Sequence, residues 1–228
     1  MPTSISWSAR AAPSFRVTTT EFKLYCFAQS GNSYKPALML QLCGAEWQPR
    51  FVDFFNGETR TPEYREKVNE MGEAPVLEHN GKRLSQSGVI LHYLADHFGR
   101  FNGASPEEKR EVLRWILWDN HKFTSYIGTL RFLVHFQKTG ETPVTEFLRG
   151  RLKTSFGILE AHLGKSAFAL GNTPSIADIS MCGYLYFADE FGVSWNDYPR
   201  IGAWLERIKA LPGWVHPYEL MPGHPLKR

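Results

Sequence analysis

Cysteine is scarce in this 228-residue chain, and none of its three cysteines stands at metal-ligand or Cys-x-x-Cys spacing. Cys26, Cys43 and Cys182 each sit among apolar residues, the setting of buried, reduced thiols. Neither a disulfide framework nor a thiolate metal site fits that pattern. Charge of one sign is also lacking: 26 Lys and Arg against 23 Asp and Glu leave a net charge of only +3. With no basic cluster to follow a phosphate backbone, nucleic acid is not an expected partner. No apolar run reaches the roughly 18 residues that a bilayer span requires, and no apolar secretory segment stands near the start. The expectation is a cytoplasmic protein without a metal and without a membrane span. Residues 1–21 have no acid before Glu21 and are rich in Ser, Thr and Ala. Arg10 and Arg16 give them a faint transit-peptide look, but a disordered extension is the expectation.

Hydrophobic residues make up 43% and charged residues 21%, enough apolar material for one large domain or two modest ones. Phe22 to Phe27 alternate as a strand. A polar loop, Gln29-Ser30-Gly31-Asn32-Ser33, then leads into helical spacing from Tyr34 to Cys43, with Pro36 in the first turn and Gly44 as the stop. Phe51 to Phe55 read as a second strand, and Thr61-Pro62-Glu63 opens a short helix. Val76 to His79 and Lys82 to Leu84 flank Asn80-Gly81, a strong hairpin signal because both turn positions need positive φ. A helix from Ser85 to about His97 completes a β-α-β-α-β-β-α order, the pattern of a small α/β layer domain over residues 22–99.

Beyond the Gly99–Gly103 linker the pattern changes. Ser105-Pro106-Glu107-Glu108 is a helix start with an N-cap, a proline at the first position and acids in the first turn. Helical spacing continues to Ile127, with a kink expected near Gly128. Thr142-Pro143 begins a helix to Leu163, Ser175-Ile176-Ala177-Asp178 fits a capping box, and Tyr198-Pro199 begins a helix that ends near Leu211. No strand signal follows residue 100, so residues 105–228 are expected to be all-α.

The order Ala74-Pro75-Val76, hairpin, Gln86-Ser87, helix resembles the thioredoxin-like N-terminal domain of cytosolic glutathione transferases. The all-α remainder with Ser175-Ile176-Ala177-Asp178 is similar to the capping motif of that family's C-terminal domain, and the likeness spans residues 22 to about 215. The fold implied is the glutathione transferase fold: an α/β thioredoxin-like domain followed by an all-α helical domain. The resemblance implies a cis bond before Pro75, which would turn the main chain of Ala74 outward to pair with the cysteinyl part of glutathione like an added strand. The residues alone leave open a trans proline at a strand's first position. Gln86 and Ser87 would hold the γ-glutamyl end at a helix N-terminus, and Ser85 or Ser87 could equally serve as a cap.

The family also needs a donor that stabilises the glutathione thiolate, because the thiolate is the nucleophile. Phe27 and Ala28 stand where tyrosine-dependent classes carry Tyr, so the likeness is to serine-type and bacterial nu-like classes. Cys26 lies too early, inside the strand. Ser30 is the first candidate, Asn32 the second and Ser33 the third. A plain polar turn is the competing reading of that loop. Glu73 departs from the Lys, Arg or Gln of many relatives and would repel the glycyl carboxylate unless Lys35, Arg50 or Arg60 compensates. Trp115, Trp118, Phe123 and Tyr126 are the candidate lining for an apolar electrophile, although aromatics at helical spacing are more often core. Arg131 is expected on a solvated helix face. The implied protein is a homodimeric glutathione S-transferase that uses glutathione as cosubstrate in detoxification. A glutathione-dependent peroxidase, disulfide reductase or other glutathione-dependent enzyme and a non-catalytic binding or scaffold protein of the same fold are the alternatives.

Overall fold

A computed structural model describes residues 22–226; the expectation for residues 1–21 lies outside them. The first layer arises from alternation. In β1 (Phe22–Cys26) residues 22, 24 and 26 are buried and 23 and 25 less so, which puts the apolar set against α1 (Gly31–Leu42). β2 (Trp47–Phe51) runs parallel to β1, while β3 (Val76–His79) and β4 (Lys82–Ser85) form the antiparallel hairpin, giving the order β2-β1-β3-β4. The short helix α2 (Pro62–Lys67) is capped by the Thr61 hydroxyl. α3 (Ser87–Phe98) ends on Gly99 at φ +62°.

The second strand is not where the sequence pattern puts it. Pro49 hides the strand Trp47-Gln48-Pro49-Arg50-Phe51, yet β2 is an edge strand, where a missing N–H breaks no ladder on its outer side. The first helix starts at Gly31 rather than Tyr34, because Ser30 is the cap. Pro36 therefore falls in the second turn, not the first.

The rest is helical, with no strand beyond residue 100 among the described residues. α4 (Pro106–Trp118) begins with a full capping box between Ser105 and Glu108. Two π-helical turns, Asp119–Phe123 and Phe132–Phe136, flank α5 (Thr124–Arg131). The break expected near Gly128 lies instead at these two turns. α6 (Pro143–Leu163), α7 (Ile176–Cys182), α8 (Ala188–Phe191), α9 (Pro199–Lys209) and α10 (Pro217–Leu220) complete the chain. Ser175 and Asp178 form the capping box of α7. One continuous core joins α1 and α3 to α4–α7 and α9, with Tyr34, Leu38, Leu91, Ile116, Ile127 and Trp204 all essentially fully buried. No described helix is long and apolar enough to cross a membrane.

Candidate functional site

A cavity of about 520 Å³ opens between the two layers, within the range of small-ligand sites. Its floor is the loop from β1 to α1. Ser30 caps α1 in an extended conformation, and its Oγ accepts the Ser33 N–H at 3.0 Å. That loop is held from three sides. Ala28 N–H donates to Pro222 O at 2.8 Å, Gln29 Nε2 donates to Gly223 O at 2.7 Å, and the Arg131 guanidinium donates to Gln29 O.

The opposite wall is the hairpin entrance. The Ala74–Pro75 bond is cis, and the carbonyl of Glu73 is pinned by Tyr64 Oη and Asn69 Nδ2, each at 3.0 Å. Gln86 caps α3 with φ +67°, a conformation that non-glycine residues rarely adopt and that recurs at ligand clamps. Ser87, the first residue of α3, is buried. The cavity therefore receives the N-termini of two 12-residue helices, α1 and α3, and neither has an acidic residue in its first turn. By contrast, α4, α6 and α7 all carry acids there. Unneutralised N–H dipoles aimed into one space favour an anion, whether carboxylate or thiolate.

The helical layer contributes small and polar groups: Asn120, Thr124, Ser125, Gly128 and Thr129, with Tyr184 beside them. Behind them Lys35 reaches across from α1 to Asp119 at 2.8 Å, both fully buried, with Thr124 and Ser180 completing the network around the carboxylate. Arg131 is buried too, paired with Glu190 at 2.7 Å and stacked 3.7 Å from the Phe187 ring centre. It is a clamp on the Gln29 carbonyl and not the solvated arginine that its surroundings in the sequence suggest. Phe27, Phe54, Phe55, Phe132 and Phe136 supply the apolar part of the wall. A second cavity of about 1280 Å³ adjoins the first and shares Gln29, Phe55 and Phe136 with it.

The chain's own thiols are not placed to act. Burial pushes the Cys26 thiol up to about 12 and raises Cys182 further, so neither supplies a thiolate near neutral pH. Among the described residues no group of three or more His, Cys, Asp or Glu side chains could hold a metal ion. A reactive sulfur at this site would have to arrive with a ligand.

The glutathione S-transferase N-terminal domain model matches residues 20–96, and the glutathione S-transferase C-terminal domain model matches residues 142–207. The chain belongs to the glutathione S-transferase family. The crystal structure of a glutathione S-transferase from Pseudomonas fluorescens superposes with a TM-score of 0.80 at 33% identity, over 86% of this chain and 98% of that one. A maleylacetoacetate isomerase from Pseudomonas aeruginosa is 28% identical over 207 residues, covering 86% of this chain and 95% of the isomerase. Another Pseudomonas fluorescens transferase, solved with two glutathione bound, shares the fold at a TM-score of 0.76 and 24% identity, over 87% of this chain and 93% of that one.

Of the site residues that the transferase resemblance implies, Ser30, Asn32, Ala74, Pro75, Gln86 and Ser87 all line this one cavity. Ser33 does not. Its side chain is fully buried, its Oγ has no partner, and its backbone N–H serves Ser30. Trp115, Trp118, Phe123 and Tyr126 do not line the cavity or its neighbour either. Trp115 and Phe123 are core, Trp118 stacks on Phe123 at 5.3 Å, and Tyr126 packs against the same core. Trp115 and Trp118 lie on α4 before the π turn and Phe123 ends it; among the residues that follow the turn, Thr124 and Gly128 face the cavity. Of the proposed compensators for Glu73, Lys35 is spent on Asp119 and Arg50 on Glu58 at 3.1 Å, and Arg60 does not line the cavity. The Glu73 carboxylate instead accepts from Gln86 Nε2 at 2.8 Å.

Proposed function

We propose that this protein is a glutathione transferase that ionises the glutathione thiol and directs the thiolate at a small apolar electrophile. One observation carries the reading: Ser30 caps α1 at the floor of a cavity that also receives the N-terminus of α3. Outward-turned main chain at Ala74 would pair with the cysteinyl strand, and Gln86 and Ser87 would hold the γ-glutamyl carboxylate and amine. The sulfur would then lie over the start of α1, where a Ser30 hydroxyl donor and the helix dipole lower a thiol's pKa. Asn32, whose side-chain oxygen is buried without a partner, stands beside it. The thiolate attacks an electrophilic carbon, a C–S bond forms, and the leaving group departs with its electron pair. The phenylalanines of the cavity wall, rather than the tryptophans of α4, would hold the electrophile. A cytoplasmic homodimer acting in detoxification is part of the same reading.

The test is calorimetric binding of glutathione, followed by ultraviolet titration of the bound thiol and turnover of a model aryl halide. Ser30→Ala should raise the bound-thiol pKa by roughly one to two units, the value of a hydrogen bond to a charged group. Absence of glutathione binding would leave the scaffold alternative in its place.

The large adjoining cavity favours a second reading, in which the other partner is itself a glutathionyl disulfide. The thiolate would attack the glutathionyl sulfur of a mixed disulfide, forming glutathione disulfide and releasing the other thiolate to take up a proton. Turnover of a mixed disulfide without turnover of aryl halides would select this second reaction.

A further inference from the structure

The helical layer presents one amide to the cavity, and a buried charge fixes which way that amide faces. We propose that Asn120 is a specificity residue for the ligand's carboxylate at the start of α3, binding it through Nδ2, and that Lys35 is the residue that orients the amide. The inference rests on the glutathione reading above and adds a grip from the second layer to the α3 end of the site.

Counting protons at Lys35 gives the orientation. An ammonium group has three N–H donors and no acceptor. Here they go to Asp119 Oδ2 at 2.8 Å, Thr124 Oγ1 at 3.1 Å and Asn120 Oδ1 at 3.3 Å, and the Lys35 side chain is fully buried. A flipped amide would set its NH2 against the ammonium, donor to donor. The Asn120 oxygen therefore faces Lys35, and Nδ2 lies on the other side.

That side is the first turn of α3. A Cβ at Gly88 would stand 3.4 Å from Asn120 Nδ2 and 2.8 Å from Ile116 Cγ2, so glycine at 88 permits the close approach. Among the described residues no group accepts from Asn120 Nδ2, and the atom is not one of the unpaired polar atoms sealed in the core. Asn120 lines the cavity. The first-turn N–H groups of α3 have no side-chain partner either, and no acid stands in that turn to supply one. Donors from both layers thus face one space that holds no acceptor of their own. A carboxylate, with two oxygens that only accept, matches them; an ammonium, which only donates, does not. In glutathione held as proposed, that group is the γ-glutamyl carboxylate, and its amine bonds elsewhere.

Calorimetry on the complete protein with three ligands tests this: glutathione, its analogue without the γ-glutamyl carboxylate, and its analogue without the amine. Weak binders are read by displacement. Asn120→Ala should weaken glutathione and the amine-free analogue by roughly ten- to hundred-fold, the range of a hydrogen bond to a charged group. The carboxylate-free analogue should stay within about two-fold, as for independent changes. Asn120→Asp, of the same shape, should weaken glutathione further, because it sets one carboxylate against another. With Lys35→Met and Asp119→Leu together the amide can turn, and the two carboxylate-bearing ligands should bind at least about two-fold more weakly. Unchanged affinity in that protein overturns the role given to Lys35. An equal cost of Asn120→Ala for all three ligands overturns the inference, since it would report only a loosened site. So does a cost that vanishes with the amine-free analogue, which would put the amide on the amine. Failure of the unsubstituted protein to bind glutathione sinks the proposed function and this inference with it. Binding without a carboxylate-selective cost sinks this inference alone.

Discussion

Among the described residues, Glu73 is the only acidic side chain that lines the cavity between the two layers, and Gln86 Nε2 is its hydrogen-bond donor there. A carboxylate at the mouth opposes the two helix N-termini that favour an anion inside. Glu73→Gln should therefore tighten glutathione binding by about two- to ten-fold at low salt, with the gain shrinking as salt is added. Calorimetry at two ionic strengths checks both parts, and weaker binding by the variant would mean that the carboxylate recognises the ligand's amine. At this scale the sequence was readable where a residue's chemistry is local. Ser30, Ala74, Pro75, Gln86 and Ser87 line the cavity, and the pattern that singled them out lies in their immediate neighbours. Tyr184 and Arg131 carry theirs in residues 153 and 102 positions earlier, Gly31 and Gln29, and no short pattern shows that. The one local trace is Gly31, an unexplained glycine at a helix start.

Among the elements, α7 depends most on a single side chain. Asp178 is fully buried and accepts from Ala169 N, Ser175 N, Ser175 Oγ and Trp204 Nε1 at 2.8–2.9 Å. Burial pushes its carboxyl up, and these four donors oppose that. Asp178→Ala would leave several buried donors unpaired and should cost about 3 kcal/mol or more, read as a lower urea midpoint. A near-zero change would mean that water replaces the carboxylate. In α3, burial lowers the His92 pKa from its ordinary value. The unfolded chain then binds more protons than the folded one just below that value, so stability falls as pH drops through about 6.5. His92→Gln should flatten that part of the midpoint-against-pH curve. The N-cap at Ser105 and the capping box at Ser175 were legible because the residues that form them lie within four positions. The π turn at Asp119–Phe123 was not, since helical periodicity on either side looks continuous. The predicted aromatic lining went into the core because helical spacing alone does not say which neighbour an apolar face meets. Pro49 hid β2 for a different reason, because edge position is a property of the sheet and not of the strand.

For the molecule as a whole, two buried charges tie the layers together. Lys35 meets Asp119, and Arg131 meets Gln29 and Glu190, all across one continuous core. Unfolding should therefore be a single transition by both tryptophan fluorescence and circular dichroism, and two separated transitions would refute the shared core. Lys35→Met strands the Asp119 charge and should cost about 3–5 kcal/mol. Adding Asp119→Leu should recover much of that loss, and a double variant as unstable as the single one would argue against the pairing. The change from mixed α/β to all-α near residue 100 was readable in the sequence as a glycine-containing linker after which strand signals stop. What lies between the two halves was not, because its contacts join distant positions. The Gln29–Gly223 hydrogen bond spans 194 residues. During synthesis the Ser30 loop thus emerges long before its third support exists. A nascent chain arrested before Pro222 should fail to be retained on immobilised glutathione, while the released chain is retained. On the proposed function, activity would in this sense be timed: the grip on the ligand would wait until translation has passed the residues that hold the loop.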